Sequence, residues 1–518
     1  MRSNIISSNK SDSLNIRHVS LAISVLAFIA LSYIFFPETT DDAYITLRFS
    51  RNLLLGNGPI FNFGERVEGY SNVSWMLILA AFGWLGIPME MAMKFLSLIS
   101  GLAVLALVWK LSAKYFTSDL AISTSVILLG FGSFFAVWSV DGLETMFYTM
   151  LLTSLVYTLT TDRTNTCLIG LIAGLVALTR PEGIMFSLVA VCGLTYAKGF
   201  QSGLKAMALV IAFAGGYELF RIYYFGQFVS NTALAKVHMS LDTALEGLRY
   251  LVAYNSASGY LLLPVALLGA VASKANAQLR LAAVFVVAQA LFLMVSGGDF
   301  MYAYRFMIPV VPCIVLLCAS AVDSLHDRVN RIVALLVFIA IATSQAYSQY
   351  SNLPEKHIGV DNLTFRTSSL FTIADFLGQH SDKNDWILLS EAGIIPFYVD
   401  AKIRDYLGLV SPFGSVFELN TLNNNFRVTF RNDYLFSARP KFVVISLIET
   451  EDSLIHPRMW MEAELLKSPE FASYENVRNF DIPNSSSFLN TIYYEHAPPS
   501  VKRIFFAVFE RTESPPIH

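Results

Sequence analysis

The residues of this chain best suited to chemistry come as short constellations of carboxylates and arginines, the first of them Asp41-Asp42. Two neighbouring carboxylates repel each other, which raises one pKa and gives a tunable proton acceptor, while a nearby arginine such as Arg48 restores the charged form. The pair also suits the start of a helix, since Asp is a favoured N-cap, and the two roles are compatible. Further along stand Glu65-Arg66-Val67-Glu68 followed by Tyr70, then Asp141 with Glu144, Arg180-Pro181-Glu182, Arg221, Lys236, and Asp299 with Arg305. Each arginine reads either as an ion pair joining two helix ends, Arg180 with Glu182 or Arg305 with Asp299, or as a planar two-pronged donor to an oxyanion. Asp141 and Glu144 divide between capping a helix and lining a pocket. Asp299 follows Gly297-Gly298, which admit close approach of a ligand or of another helix. Glu65 reads as a loop pin and Glu68 as the site residue of that segment.

The elements that must position these groups are membrane helices. Of 518 residues 54% are hydrophobic and 14% charged, with a mean hydropathy of +0.53, against about 25% charged in soluble domains. Val19–Phe36 is an uncharged run without a small-residue cleavage site, read as a retained first helix and not a cleaved signal. Further spans fall near 91–109, 120–138, 145–161, 164–179, 183–197, 206–220, 250–273, 281–297, 306–322 and 332–350, about eleven in all, several shorter than the ~20 residues that cross a bilayer straight. With the N-terminus inside, Lys110, Lys114, Arg163, Lys198, Lys205, Lys274, Arg280, Arg328 and Arg331 fall on inner loops, as the positive-inside rule asks. Every polar constellation named above then falls on the outer face, where ionisable groups at the membrane edge mark function by default. No basic stripe points to nucleic acid. The four cysteines have no disulfide or zinc spacing. Acidic clusters could recruit a divalent cation, but no ligand spacing signals one, so metal use stays open.

Residues 37–90 form an outer segment expected to hold two helices. In Tyr44–Leu55 the residues Tyr44, Arg48, Arg51 and Asn52 share one face, as in a helix lying in the interface with its polar side toward a cavity. Gly56-Asn57-Gly58-Pro59 signals a turn, and Trp75–Leu85 returns as an apolar helix too short to span. The expected division is a membrane domain over 1–350 and an outer α/β domain over 351–518. In the latter, strand-like runs (Trp386–Ser390, Phe442–Leu447, Ile504–Phe509) alternate with helix-like ones (Leu370–Leu377, Trp460–Lys467).

Asp41-Asp42-Ala43-Tyr44-Ile45-Thr46-Leu47-Arg48, Phe61-Asn62-Phe63-Gly64-Glu65-Arg66-Val67-Glu68-Gly69-Tyr70-Ser71, Trp138-Ser139-Val140-Asp141-Gly142-Leu143-Glu144-Thr145 and Thr179-Arg180-Pro181-Glu182-Gly183 follow one another in order. Arg221 to Gly226, Asn231 to Lys236, and Gly297-Gly298-Asp299-Phe300 leading to Arg305-Phe306 and Pro309 continue the series. Together they resemble the GT-C glycosyltransferases, and more narrowly the bacterial arabinofuranosyltransferase group, with its mycobacterial terminal arabinan enzymes and pilin arabinosyltransferases. The resemblance covers roughly 17–325. In the tail only Glu391-Ala392-Gly393-Ile394-Ile395-Pro396 and Asp405-Tyr406-Leu407-Gly408-Leu409 carry it on. Phe225 before Gly226, Ser230 before Asn231-Thr232 and Ser71 depart from the pattern, touching loop shape more than charge.

The resemblance implies a sugar donor on a polyprenyl phosphate, an outer-side acceptor such as a glycan or pilin-like protein, inversion at the anomeric carbon, and residence in a bacterial inner membrane with the active site and C-terminal domain outside. It places the base at Asp41, with Asp42 beside it. The departing phosphate would be met by Arg48, Arg180, Arg221, Arg305 and Lys236, with Glu68, Glu182 and Asp299 at the donor and Tyr70, Asp141 and Glu144 lining the pocket. A hexose or aminoarabinose donor fits the same residues. A lipid-linked-glycan flippase is the rival of another class, and would continue its charged path to the inner side. A non-catalytic scaffold presenting its outer domain would be indifferent to loss of Asp41.

Overall fold

The computed structural model describes residues 2–37, 39–160, 165–236, 240–272, 277–299, 301–352, 360–422, 425–482 and 501–512. They divide into two compact units: 1–37, 91–219 and 238–353 form a helical one, and 38–90, 220–237 and 354–518 a sheet-bearing one. Arg163, Lys274 and Phe300 of the sequence motifs lie outside the described residues.

Among the described residues six helices are long and apolar enough to cross a membrane, Ile16–Phe35, Met89–Tyr115, Phe200–Phe225, Leu279–Ser296, Tyr302–Arg328 and Arg331–Asn352, and Leu241–Ala257 with Leu262–Ala272 make a seventh if that pair, bent by 100°, is one span. The chain is a multi-pass membrane protein. The other expected spans are the shorter helices Asp119–Gly130, Thr145–Thr160, Thr166–Thr179 and Gly183–Lys198. Helices in a bilayer approach closely through small residues. A Cβ on Gly269 would lie 1.8 Å from the Leu317 carbonyl oxygen, so the Leu262–Ala272 helix can seat on the Tyr302–Arg328 span only because this position is bare.

Among the described residues the sheet-bearing unit holds eight strands: β1 Trp386–Leu389, β2 Lys402–Asp405, β3 Phe417–Leu422, β4 Asn425–Phe430, β5 Phe442–Thr450, β6 Ile455–Pro457, β7 Tyr474–Ile482 and β8 Val501–Arg511. β3 and β4 form a hairpin, and the main sheet runs β2-β1-β5-β8-β7 with β6 on the far part of β5. β2, β1 and β5 are parallel, and β8 and β7 join antiparallel. All nine residues of β5 are buried, as befits the central strand. The expected runs Trp386–Ser390, Phe442–Leu447, Ile504–Phe509 and Trp460–Lys467 correspond to β1, β5, β8 and a helix of those bounds.

Two expectations about the first outer segment differ from the structure. Its helices, Asp41–Leu54 and Val73–Trp84, are present, but residues Ala43 to Ser50 are buried in unbroken succession, so the first is packed on every side and has no polar face turned to a cavity. The segment expected to join a membrane domain over 1–350 packs with residues from 354 onward. The physical reason lies in its polar side chains.

Candidate active site

In the sheet-bearing unit the Asp41–Leu54 helix starts after Thr40, whose backbone is extended, so Asp41 and Asp42 occupy the first turn and not the N-cap. Negative charge there is favoured by the helix dipole. The Asp41 carboxylate accepts the backbone N–H groups of Gly393 (2.9 Å) and Ile394 (2.7 Å). A Cβ at Gly393 would sit 1.8 Å from the Asp41 carbonyl oxygen, so that approach requires glycine. Asp42 is half-buried and, among the described residues, has no hydrogen bond or ion pair. Its charge acts on Asp405, whose carboxyl burial pushes up to about 6 against the N–H groups of Val410, Leu407 and Leu409.

Arg48, expected at a phosphate, is buried and donates to four carbonyls: Phe61 (3.0 Å), Val399 (3.3 Å), Ala401 (3.0 Å) and Pro396. Burial, reinforced by Arg51, lowers its guanidinium to about 9, still cationic at neutral pH. It is a clamp, buried and with four hydrogen bonds to carbonyls from its five N–H groups. Asn62 brackets Ile403, donating to its carbonyl (2.8 Å) and accepting its N–H (2.9 Å). Asn231 donates to Gly408, Leu409 and Ser411 carbonyls and accepts from Phe413 N–H at 2.8 Å. These four side chains tie the segments 41–62 and 231 to the backbone of 393–413.

Glu68 is fully buried and receives Arg221 Nε at 2.6 Å. Glu65 pairs with Arg404 at 2.9 Å, the loop role expected of it. Arg66 lies exposed over the Tyr224 ring (4.6 Å). This group sets three arginines (66, 221, 404) against two glutamates (65, 68). Tyr70 is core, edge-on to Phe49 at 4.7 Å. Lys236 ends the short Asn231–Lys236 helix, and its side chain is outside the described residues.

In the helical unit Arg180 is buried between Glu182 (2.6 Å) and Glu144 (3.2 Å). Arg305 holds Asp299 with two bonds, 2.7 and 3.2 Å. Both guanidiniums face the Phe306 ring, at 4.9 and 5.1 Å. The Tyr302 hydroxyl donates to Asp141, and its ring stacks on Trp138 at 4.9 Å. Trp138 Nε1 in turn bonds the Ala303 carbonyl at 3.2 Å. Ala303 and Tyr304 both have positive φ (47° and 49°), a strained backbone that non-glycine residues adopt where surrounding contacts impose it. Here it sets Tyr302 and Arg305 among these partners. The cluster has two arginines against four carboxylates, so it is poorly suited to a phosphate and better suited to an uncharged polar group.

Every arginine predicted at the site is therefore committed: Arg180, Arg221 and Arg305 to carboxylates, Arg48 to carbonyls. Sequence reasoning passed over Asn62, Asn231 and Asp405, although all lie in the quoted motifs, and Asn and Asp side chains bond backbone readily. It also passed over Thr145, Tyr148 and Gln289, whose signal was the three-residue spacing of Thr145 and Tyr148 on the helix that follows Glu144. Among the described residues no three His, Cys, Asp or Glu side chains gather as a metal site would need.

Residues 359–497 match a family model described as a domain of unknown function, DUF8728. The chain is 30% identical over 254 residues to the terminal β-(1→2)-arabinofuranosyltransferase of Mycobacterium tuberculosis, covering 42% of this chain and 37% of that one. It is 28% identical over 229 residues to the protein of the same name from Corynebacterium glutamicum, covering 38% and 33%. It thus spans about a third of the length of these relatives. ArnT from Cupriavidus metallidurans, in its crystal structure bound to undecaprenyl phosphate, superposes with a TM-score of 0.57 at 10% identity, over 95% of this chain and 97% of that one. The fold is the GT-C type that the sequence resemblance implied.

Proposed function

We propose that this chain is an inverting glycosyltransferase that moves a sugar, arabinofuranose in the first instance, from a polyprenyl-phosphate donor to a glycan or pilin-like protein on the outer side of a bacterial inner membrane. The observation that carries this reading is the likeness to the terminal β-(1→2)-arabinofuranosyltransferases. A fold shared with a protein solved with undecaprenyl phosphate supports the lipid donor.

In the proposed reaction an acceptor hydroxyl attacks the anomeric carbon. The bond from that carbon to the phosphate oxygen breaks with its electron pair going to the phosphate, and a carboxylate takes the hydroxyl proton. The two aspartates divide the work. Two backbone N–H bonds occupy the Asp41 carboxylate and fix its position. Asp42 has no such partner and takes the proton. Arg66, exposed in the same segment as the Glu68 that holds Arg221, offers the excess positive charge that a departing phosphate needs.

The test is transfer by the full-length protein in lipid vesicles from synthetic polyprenyl-phospho-arabinofuranose, comparing wild type with Asp42→Asn and Asp41→Asn at matched folded amounts. Loss in Asp42→Asn with partial activity in Asp41→Asn is expected. The reverse pattern moves the base to Asp41. Movement of the donor across the vesicle membrane without any transfer would replace the enzyme by a transporter.

A further inference from the structure

A group of large apolar side chains stands exposed on the sheet-bearing unit: Leu55, Trp84 (76% exposed), Leu85, Tyr223 (88%), Phe228 and Val229. They come from three segments without a charged residue, Leu53 to Pro59, Trp84 to Pro88 and Ile222 to Ser230. Contacts inside the unit join the three. A Cβ on Gly83 would stand 3.1 Å from the Leu54 side chain and 3.2 Å from that of Met89, so the ends of the Asp41–Leu54 and Val73–Trp84 helices lie together, beside Met89. A Cβ on Gly58 would stand 2.6 Å from the Tyr224 hydroxyl, so the turn after the first helix rests on the third segment. The far edge of the sheet has the opposite character, for β7 turns Glu475, Arg478 and Asp481 to solvent. A joined set of exposed apolar side chains marks a surface that meets something other than water.

Continuity of the chain says what covers this band. Met89 is the first residue of the membrane-crossing helix Met89–Tyr115 and Phe225 the last of Phe200–Phe225, and both residues belong to this unit. The end of such a helix lies at the surface of the bilayer. Trp84 and Leu85 stand five and four residues before Met89, and Phe228 and Val229 three and four after Phe225, so they lie at that level too. Trp and Tyr are the side chains that favour it, with an apolar ring and a polar tip. A cation stands at the rim: Arg66 is exposed, lies over the Tyr224 ring at 4.6 Å and has no carboxylate partner among the described residues. We propose that Leu55, Trp84, Leu85, Tyr223, Phe228 and Val229 seat the sheet-bearing unit in the headgroup layer of the bilayer, with Arg66 at the level of the lipid phosphates. The inference stands independently of the donor and its sugar.

The experiment is fluorescence of the full-length protein in vesicles, labelled on one introduced cysteine: Trp84→Cys, Tyr223→Cys or Phe228→Cys in the band, or Val477→Cys on β7 as the control. The background carries Cys167→Ser and Cys192→Ser, which remove the two exposed native thiols. The three band labels should sit about 5–10 Å into the boundary between headgroups and acyl chains. They are expected to lose most of their emission to lipids brominated near the glycerol and little of it to aqueous iodide, and the control label should do the reverse. Iodide quenching in the band as strong as at the control would put these residues in water and overturn the inference. Protection from both quenchers would mean that a second copy or another protein covers them, and would overturn it equally. The three labels stand on two separate segments, so a variant that fails to fold leaves the others to decide.

Discussion

The same residue types do different work in the two units. In the helical unit arginines face carboxylates: Arg180 between Glu144 and Glu182, Arg305 on Asp299, with unbonded hydroxyls beside them. In the sheet-bearing unit Arg48, Asn62, Asn231 and Asp41 face the main chain and grip residues 393–413. Ion pairs hold charged side chains at a fixed place while leaving their surroundings polar. Main-chain clamps commit most of their donors to carbonyls and leave little for a ligand. The lesson is that a motif's charge does not say whether it meets substrate or backbone; the count of its satisfied bonds does.

The sharpest break of that comparison separates Asp42 from Asp41. Asp42→Asn is expected to lower transfer by about 10²–10⁴-fold, the usual contribution of a positioned base, with melting unchanged because no bond is lost. Asp41→Asn should instead lower melting, since an amide nitrogen cannot accept one of the two N–H groups. Equal loss of stability in both variants would erase the distinction.

Gly393→Ala tests the clamp where it is tightest. Its methyl would meet the Asp41 carbonyl oxygen at 1.8 Å, so the strand-to-helix turn must move. A destabilisation of about 3–5 kcal/mol is expected, the range of severe core changes. Hydrogen exchange should localise it to 393–413 and the first turn of the Asp41–Leu54 helix. Protection left intact there would mean that the segment is held elsewhere.

A smaller effect should distinguish arginines. Arg48→Lys keeps the charge but has three donors on a single nitrogen where four carbonyls spread around a plane. Melting should fall by about 2 kcal/mol, roughly one buried group left unbonded, and sugar-donor affinity should hold. Arg180→Lys should also lower stability, since one ammonium replaces the two guanidinium nitrogens that meet Glu182 and Glu144. A loss of donor affinity in Arg48→Lys with unchanged melting would return Arg48 to the phosphate.

Much of the fold was legible because hydropathy and alternation are local. The spans stand out as apolar runs, and Trp460–Lys467 and β5 read directly from their sequences. β2 did not, because Lys402-Ile403-Arg404-Asp405 is four residues long and three of them are charged, and β7, Tyr474–Ile482, faces solvent along most of its length. The site was legible as a set of residues, and Arg180 with Glu182 and Arg305 with Asp299 pair as their spacing suggested. What escaped was which partner each charge takes over long separations. Nothing near Arg48 announces that three of its four carbonyls lie some 350 positions away. Nothing near Tyr148 announces that no neighbour satisfies it.

The last difference between the units is one of pH. At the carboxyl end of β1, where β5 passes from β1 to β6, Glu462 is fully buried and accepts from Tyr406 Oη (2.9 Å), Ser446 N–H (3.1 Å) and Met459 N–H (2.8 Å). Burial pushes its carboxyl up to about 7, against the pull of Arg458 and of these bonds. Arg458 also faces Glu391 at 3.8 Å. A carboxyl whose folded pKa exceeds its unfolded value of 4.5 binds more protons folded than unfolded between those limits. Its stabilisation is therefore complete below 4.5 and is lost as pH rises through 7, by at most about 3 kcal/mol. Asp405, raised to about 6, acts in the same direction. Hydrogen exchange at β5 and at the start of the Trp460–Lys467 helix should thus be slower, after correction for the intrinsic rate, at pH 5 than at pH 8. Glu462→Gln should flatten that slope while removing one acceptor at Met459. Protection that rises with pH in this unit would reverse the assignment of Glu462 as a carboxyl held protonated by burial.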